Sequence, residues 1–268
     1  MQTDSRTLRV AAAQLTISDQ IDANLSSILA SMKRCAADGV EIVVFPETAL
    51  TGYSPTIGQG REPGEWPTIR ASLDAVGRLA SELGIWVVVG SEARSDGTWV
   101  NRLCAFSDAG DVVATYDKVH LTSADTQYYR PGTSNTVFDM KGIVIGLQIC
   151  YDARFPEGYR SLLAQGAEVV LQGFFGAGKD TWKVPVLGAH LRARAAENGV
   201  FVVAANVAGP LQIVVSQIVD PLGLVLAQAN QDREELIQAS LDLGQVARSE
   251  IRRDCLSRFK ASVLPRGS

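Results

Sequence analysis

Apolar runs of strand length alternate with helical stretches along almost the whole chain. About a dozen of these runs have the length and the β-branched composition of buried strands. Two pairs are joined by short turns, at residues 108–111 and 141–142, which predict antiparallel hairpins. The predicted strands cover residues 8–17, 42–45, 85–90, 100–107, 112–116, 136–140, 143–149, 169–172, 201–205, 213–219, 224–227 and 236–241.

Helical spacing of apolar residues separates several of these strands. The first predicted helix begins after a possible cap at Ser18 or Asp19 and stops at Gly39, and the second has Pro67 in its first turn and Gly84 at its end. No linker or change in composition divides the chain, so the pattern predicts one α/β domain in which helices cover the sheets. The predicted helices cover residues 21–37, 66–83, 157–165, 182–198 and 244–259.

Composition narrows the class of protein further. With a net charge of −4 and a pI near 5.3, the chain has nothing to attract a phosphate backbone or an anionic membrane surface. No apolar run approaches the roughly 20 residues of a membrane helix, and the N-terminus lacks the pattern of a secretory signal. The four cysteines are scattered, as free thiols in a reducing compartment would be, so we expect a cytoplasmic protein. We expect neither a nucleic-acid partner nor membrane attachment.

The last residues of the chain, 264–268, resemble the remnant of a protease cleavage site. The predicted catalytic domain therefore covers residues 1–262, and residues 263–268 are expected to be a tail that takes no part in the fold.

Three polar segments follow apolar strands directly, where loops at a sheet edge build functional sites. Glu47 follows the strand 42–45, and burial there favours the neutral carboxyl, which suits a general base working near neutrality. Lys118 lies just after the strand 112–116 and is followed by an apolar residue, a position from which it can meet developing negative charge. Each of these residues, taken alone, is more often a loop or surface residue.

Cys150 stands where the strand 143–149 meets the polar start of a short helix. Backbone N–H groups at such a turn, the helix dipole and a nearby lysine are expected to stabilise a thiolate. The same N–H groups could hold an oxyanion. A buried structural role suits Cys35, Cys104 and Cys255 better than it suits Cys150, because charged residues follow Cys150 at once.

The order of these segments and their amino-acid sequences resemble the carbon–nitrogen hydrolase (nitrilase-like) superfamily, in its amidase-type branch. In that family a catalytic glutamate, lysine and cysteine occur in this order and in these contexts, and the resemblance extends over residues 8–242. The matching segments are residues 45–53, 116–121, 130–132, 146–157, 192–198, 201–206 and 220–223.

The resemblance implies an α-β-β-α sandwich of two mixed sheets covered by helices, paired into a homodimer or larger assembly. It also implies that Cys150 is the nucleophile, Glu47 the general base and Lys118 the stabiliser of the tetrahedral intermediate. The N–H group of Tyr151 would complete the oxyanion site. The expected reaction is hydrolysis of the C–N bond of a small amide by water through a Cys thioester, with release of ammonia.

Two departures from the family pattern concern the substrate pocket. Many members carry a second glutamate shortly after the lysine, where this chain has the shorter Asp125. Ser216 follows two valines where a Gly-x-Ser is common. The candidates for pocket residues are Tyr53, Arg154, Phe174 and Phe175.

Other chemistries fit the sequence less well. Residues 173–179 match GxxxxGK, but Asp180 follows where a phosphate-binding loop needs Ser or Thr, so a loop bordering the amide pocket is favoured. The two histidines, His120 and His190, leave little basis for a Cys–His dyad, and no spacing suits a metal, so no metal or cofactor is expected. An N-carbamoyl amine amidohydrolase of the same mechanism and a non-catalytic binding subunit with this fold remain open.

Overall fold

The computed structural model describes residues 6–263, with side chains as far as residue 258. Of the predicted tail, residues 263–268, Val263 is the last residue of the final helix, and residues 264–268 lie outside the described residues. The strands are β1 Thr7–Gln14, β2 Ile42–Val44, β3 Trp86–Ser95, β4 Thr98–Phe106, β5 Val112–Asp117, β6 Thr136–Met140, β7 Ile143–Ile149, β8 Val169–Gly173, β9 Phe201–Ala205, β10 Gln217–Val219, β11 Val225–Gln228 and β12 Glu235–Asp242. The helices are α1 Ile21–Ala37, α2 Ser54–Ile57, α3 Trp66–Leu83, α4 Pro156–Ala164, α5 Lys183–Asn198, α6 Gly244–Arg248 and α7 Glu250–Val263.

The strands form two mixed six-stranded sheets. The first has the order β12-β1-β2-β3-β4-β5 and the second the order β11-β10-β9-β8-β7-β6. In the first sheet β1, β2 and β3 are parallel, and the two antiparallel pairings of β4 return β5 to the direction of β3. In the second sheet β7, β8 and β9 are parallel.

Three apolar layers hold the sandwich together. One lies between the sheets and joins residues such as Val10 and Val44 to Ile145 and Leu171. A second packs α1 and α3 on the outer face of the first sheet, and a third packs α4 and α5 on the outer face of the second. Alternate residues of the buried strands therefore enter different layers, which explains why these strands are apolar throughout rather than alternating. The predicted single-domain α-β-β-α sandwich is confirmed.

The strand directions position the site. Because β2 and β5 run the same way, the residues that follow them emerge at one edge of the first sheet; the same holds for β7 and β8 in the second sheet. Glu47, Lys118, Cys150 and Phe175 all lie in these following segments.

Some predicted boundaries were wrong. β1 ends at Gln14 rather than at residue 17, and β10 covers only the end of the predicted strand 213–219. The predicted final helix is two helices, since Ser249 leaves the helical conformation at ψ 115°. None of the helices in residues 6–263 is long and apolar enough to span a bilayer.

Candidate active site

Glu47 lies on a sharp turn that is tightly enclosed by backbone from both sheets. The next residue, Thr48, has φ 49°, in the left-handed region that side chains other than glycine rarely occupy. A Cβ on Gly90 would lie 2.2 Å from the Pro46 carbonyl oxygen, and one on Gly173 would lie 2.8 Å from the Glu47 nitrogen. Only glycines therefore allow β3 and the end of β8 to approach the turn this closely.

The Glu47 carboxylate is fully buried and accepts three hydrogen bonds from nitrogen donors. Its Oε1 accepts from the Lys118 ammonium and from the Asn101 amide, each at 2.7 Å. Its Oε2 accepts from the backbone N–H of Phe175, also at 2.7 Å. Elements of both sheets thus hold the carboxylate in one orientation.

The Lys118 ammonium is also fully buried, between two carboxylates. It lies 2.7 Å from Glu47 Oε1 and 2.9 Å from Asp125 Oδ2. Burial alone would lower the pKa of Lys118, but the charges of Glu47, Cys150 and Asp125 raise it well above its ordinary value. Lys118 is therefore a permanent cation, and two carboxylates use two of its three N–H donors.

Asp125 is the second carboxylate that contacts Lys118. Burial opposes ionisation of Asp125, but Lys118 and the Tyr53 hydroxyl hold its pKa below the ordinary value. The Tyr53 hydroxyl donates to Asp125 Oδ1 at 2.5 Å, and the Thr122 N–H donates to Oδ2 at 2.8 Å. The shorter aspartate thus reaches the lysine without an intervening group.

Cys150 follows β7 directly and has φ 45°, a conformation that costs about 1–3 kcal/mol for a side chain other than glycine. The carboxylate of Asp152 closes this turn. It accepts from the Ile149 N–H at 3.2 Å and from the Tyr116 hydroxyl at 2.8 Å. It also accepts from the N–H of His120 at 2.9 Å, which ties the cysteine turn to the segment after Lys118.

Burial and the surrounding charges disfavour the thiolate form of Cys150, whereas the sequence pattern predicts a stabilised thiolate. Burial raises the pKa of Cys150 well above its ordinary value, and the Glu47 charge raises it further. Lys118 lowers it, but Asp125 and a hydrogen bond with Glu47 oppose that effect. Glu47 and Asp125 already outnumber Lys118, so a thiolate would add a third negative charge to a buried site. A nucleophilic role for Cys150 would therefore require a base that removes the thiol proton.

The four pocket candidates separate into three environments. Tyr53 and Phe175 stack with their ring centroids 4.9 Å apart, beside Lys118 and Glu47. Phe174 is completely buried between the second sheet and its helices, so its side chain belongs to the core and not to the pocket wall. Arg154 is half-buried, and its guanidinium lies 5.7 Å from the Tyr151 ring and 5.4 Å from the Trp182 ring.

The rival phosphate-binding and Cys–His interpretations do not fit the contacts. In the loop after β8 the N–H groups of Phe175, Gly176 and Gly178 bind Glu47, Asn206 and Leu211, so they are not directed at a common anion. His120 Nδ1 contacts Asp152 at 2.8 Å, and its ring stacks on Phe155. These contacts indicate that His120 has a structural role beside the turn at Cys150.

Asn101 belongs to the site but does not appear among the residues singled out from the sequence. It is a buried residue of β4, where asparagine is otherwise depleted. An asparagine within an apolar strand is the signal that could have identified it.

The chain matches the family model of the carbon–nitrogen hydrolases over residues 9–250 and belongs to that family. It is 33% identical over 235 residues to an (R)-stereoselective amidase from Pseudomonas sp, a match that covers 85% of this chain and 82% of that protein. It is 30% identical over 261 residues to an omega-amidase from Xenopus laevis, with 89% and 90% covered. A nitrilase from Pyrococcus abyssi is 28% identical over 242 residues, with 86% and 87% covered.

A solved structure of an amidase from Nesterenkonia sp. has the same fold. It is a glutamate-to-glutamine mutant that carries acrylamide added to its active-site cysteine. The TM-score is 0.77 at 27% identity, and the match covers 92% of this chain and 99% of that chain. The predicted membership of the amidase-type nitrilase superfamily is confirmed, and the protein is a hydrolase that acts on carbon–nitrogen bonds.

Proposed function

We propose that the protein hydrolyses a small primary amide to the carboxylic acid and ammonia, with Cys150, Glu47 and Lys118 as its catalytic residues. One observation carries the proposal: beside the Cys150 thiol, a buried Glu47 carboxylate is paired at 2.7 Å with a buried Lys118 ammonium. A nucleophile, a base and a fixed positive charge are what acyl transfer from an amide requires.

In the first half of the proposed reaction, the Cys150 sulfur attacks the amide carbon and its proton passes to Glu47. The carbonyl oxygen becomes an oxyanion. The third N–H of Lys118 and the N–H of Tyr151 stabilise it, because both are fixed before the reaction begins. Glu47 then returns the proton to the leaving nitrogen, so ammonia departs and a Cys150 thioester remains.

In the second half, Glu47 removes a proton from water, and the resulting hydroxide adds to the thioester carbon. A second oxyanion forms at the same donors. Its collapse breaks the C–S bond, and the proton held by Glu47 returns to the sulfur. The carboxylic acid leaves, and the resting thiol is restored. One carboxylate thus serves both half-reactions.

Arg154 favours a substrate that carries an acidic group beside the amide. Among the described residues no carboxylate pairs with its guanidinium, which lies only four residues after Cys150 between two aromatic rings. An omega-amide of a small dicarboxylic acid would supply the missing anion. N-carbamoyl amines could react with the same three catalytic residues, but the carbamoyl group would make no specific contact with Arg154.

An ammonia-release screen tests the proposal, with primary amides, N-carbamoyl compounds and nitriles as substrates. We expect release from primary amides, and more from succinamate than from its uncharged isostere succinamide. Arg154→Gln should remove that preference while leaving turnover of succinamide intact. No ammonia from any primary amide would contradict the proposed reaction and would favour a non-catalytic subunit. An equal rate on both substrates would contradict only the role of Arg154.

The proposal also includes the predicted cellular location and oligomeric state of the protein. We infer a cytoplasmic homodimer or larger homo-oligomer with residues 1–262 as its catalytic domain, as the family resemblance and the scattered cysteines suggest.

A further inference from the structure

Asn101 connects the two charged residues of the site through two different groups. Its side-chain Nδ2 donates to Glu47 Oε1 at 2.7 Å. Its backbone carbonyl oxygen accepts from the Lys118 N–H at 2.9 Å. The position of β4 therefore sets the base and the cation relative to each other.

The hydrogen bonds divide the Glu47 carboxylate into two unequal oxygens. A carboxylate accepts about four hydrogen bonds, roughly two at each oxygen. Asn101 and Lys118 occupy both positions on Oε1, whereas Oε2 has only the Phe175 N–H. The one position left open is on Oε2. The proton of Cys150 must therefore go to Oε2.

We propose that Asn101 is a positioning residue for the general base and that it directs Glu47 Oε2 at the Cys150 thiol. The terminal torsion of a glutamate is broad, so the covalent geometry alone does not fix the plane of the carboxylate. Donors on opposite oxygens, Asn101 and the Phe175 N–H, do fix it. The inference rests on the proposed function, in which Glu47 is the base.

The burial of Asn101 supports this role. Only 1% of its surface is exposed, and its Oδ1 has no hydrogen-bond partner among the described residues. A buried acceptor without a partner costs about 1–3 kcal/mol, so an apolar side chain would suit a purely structural position in β4 better.

The variant Asn101→Leu tests the inference, because leucine has a similar volume and cannot donate. With a primary amide as substrate, we expect kcat to fall about tenfold to a hundredfold while KM stays within about twofold. The charged and titratable groups around Glu47 are Lys118, Asp125, Cys150 and Tyr53, and all remain in the variant. The acidic limb of kcat/KM should move to higher pH, because a donated hydrogen bond favours an ionised carboxylate.

Asn198 offers a matched control. It is fully buried, its Oδ1 also lacks a partner among the described residues, and its Nδ2 donates to the Arg194 carbonyl oxygen rather than to the site. Asn198→Leu should leave kcat and the pH profile unchanged, whatever it does to the melting temperature.

The rate at which iodoacetamide alkylates Cys150 provides a second readout that does not depend on knowing the substrate. The rate should fall in Asn101→Leu and in Asn101→Asp, which keeps the shape but replaces the donor with an acceptor. Peptide mass spectrometry separates Cys150 from the other cysteines. Unchanged kcat and alkylation rate in a folded Asn101 variant would overturn the inference. If the wild-type protein hydrolysed no amide but alkylation still fell in these variants, the proposed function would fail and the positioning role would stand.

Discussion

Glu47 and Lys118 form a fully buried ion pair, with Oε1 and Nζ 2.7 Å apart, between residues that are 71 positions apart in the chain. Burying two charges is expensive unless both are paired and hydrogen-bonded, and here Asn101, the Phe175 N–H and Asp125 add further contacts to the pair. The pair lies against the one cysteine whose thiol faces both charges. The catalytic role proposed for the pair explains why it is buried at this place.

Replacement of Glu47 by glutamine should lower kcat by at least about a hundredfold. Glutamine keeps the shape of the side chain and can bind the same neighbours in part, but it cannot accept the thiol proton. Steady-state kinetics of Glu47→Gln on a primary amide, with circular dichroism to verify folding, provide the measurement. A change confined to KM would show that Glu47 only binds substrate.

Gly173→Ala should lower activity by displacing Glu47, although it alters no functional group. Its new Cβ would lie 2.8 Å from the Glu47 nitrogen, so the backbone must shift, at a cost of about 1–3 kcal/mol in the free energy of unfolding. Activity and urea denaturation should be measured together. The control is Gly64→Ala, since no atom lies within 4 Å of a Cβ there. Equal activity and equal stability of the two variants would mean that the turn at Glu47 tolerates displacement.

Asp125 should contribute stability that depends on pH. Its pKa in the folded protein lies below the ordinary value of 3.8, so the ionised form stabilises the fold at neutral pH. That contribution is lost as the pH falls through the folded pKa. Asp125→Asn should therefore lower the free energy of unfolding at pH 7 by about 1–3 kcal/mol. The difference from wild type should shrink below about pH 4. A difference that is constant across this range would show that Asp125 is not ionised against Lys118.

The sequence predicts which residues lie together in space where a residue's type and its place after a strand carry the information. Glu47, Lys118 and Cys150 each follow a strand, and parallel strand directions bring such positions together at a sheet edge. The prediction was wrong where the packing around a residue decides which way its side chain points. Phe174 and Phe175 are adjacent and chemically identical, yet successive residues at a strand end point to opposite sides, so only Phe175 reaches the site.

The ionisation of Cys150 could not be predicted for a related reason. A strand-to-helix turn next to a lysine suggests a thiolate, but burial, together with two buried carboxylates, raises the pKa of Cys150 instead. The short helix Ser54–Ile57 also escaped detection, because four residues are too few to show a periodic pattern.

Amides should be hydrolysed far better than nitriles that carry the same side chain. Family members that act on nitriles usually continue the nucleophile with Trp-Glu, whereas this chain has Tyr151 and Asp152. An amide gives a tetrahedral oxyanion within reach of Lys118, but a linear nitrile gives a thioimidate whose nitrogen lies elsewhere. Values of kcat/KM for several matched pairs measure the preference. A consistent preference for the nitrile would contradict this interpretation of the oxyanion site.

Ammonia release by Cys150→Ala tests the central claim most directly, because the change removes the sulfur and little volume. Cys104→Ala is the matched control, since Cys104 is a buried cysteine of β4 in the opposite sheet. The account predicts no ammonia above background from Cys150→Ala at an unchanged melting temperature, and wild-type turnover from any folded Cys104→Ala. Wild-type turnover in Cys150→Ala would contradict the account.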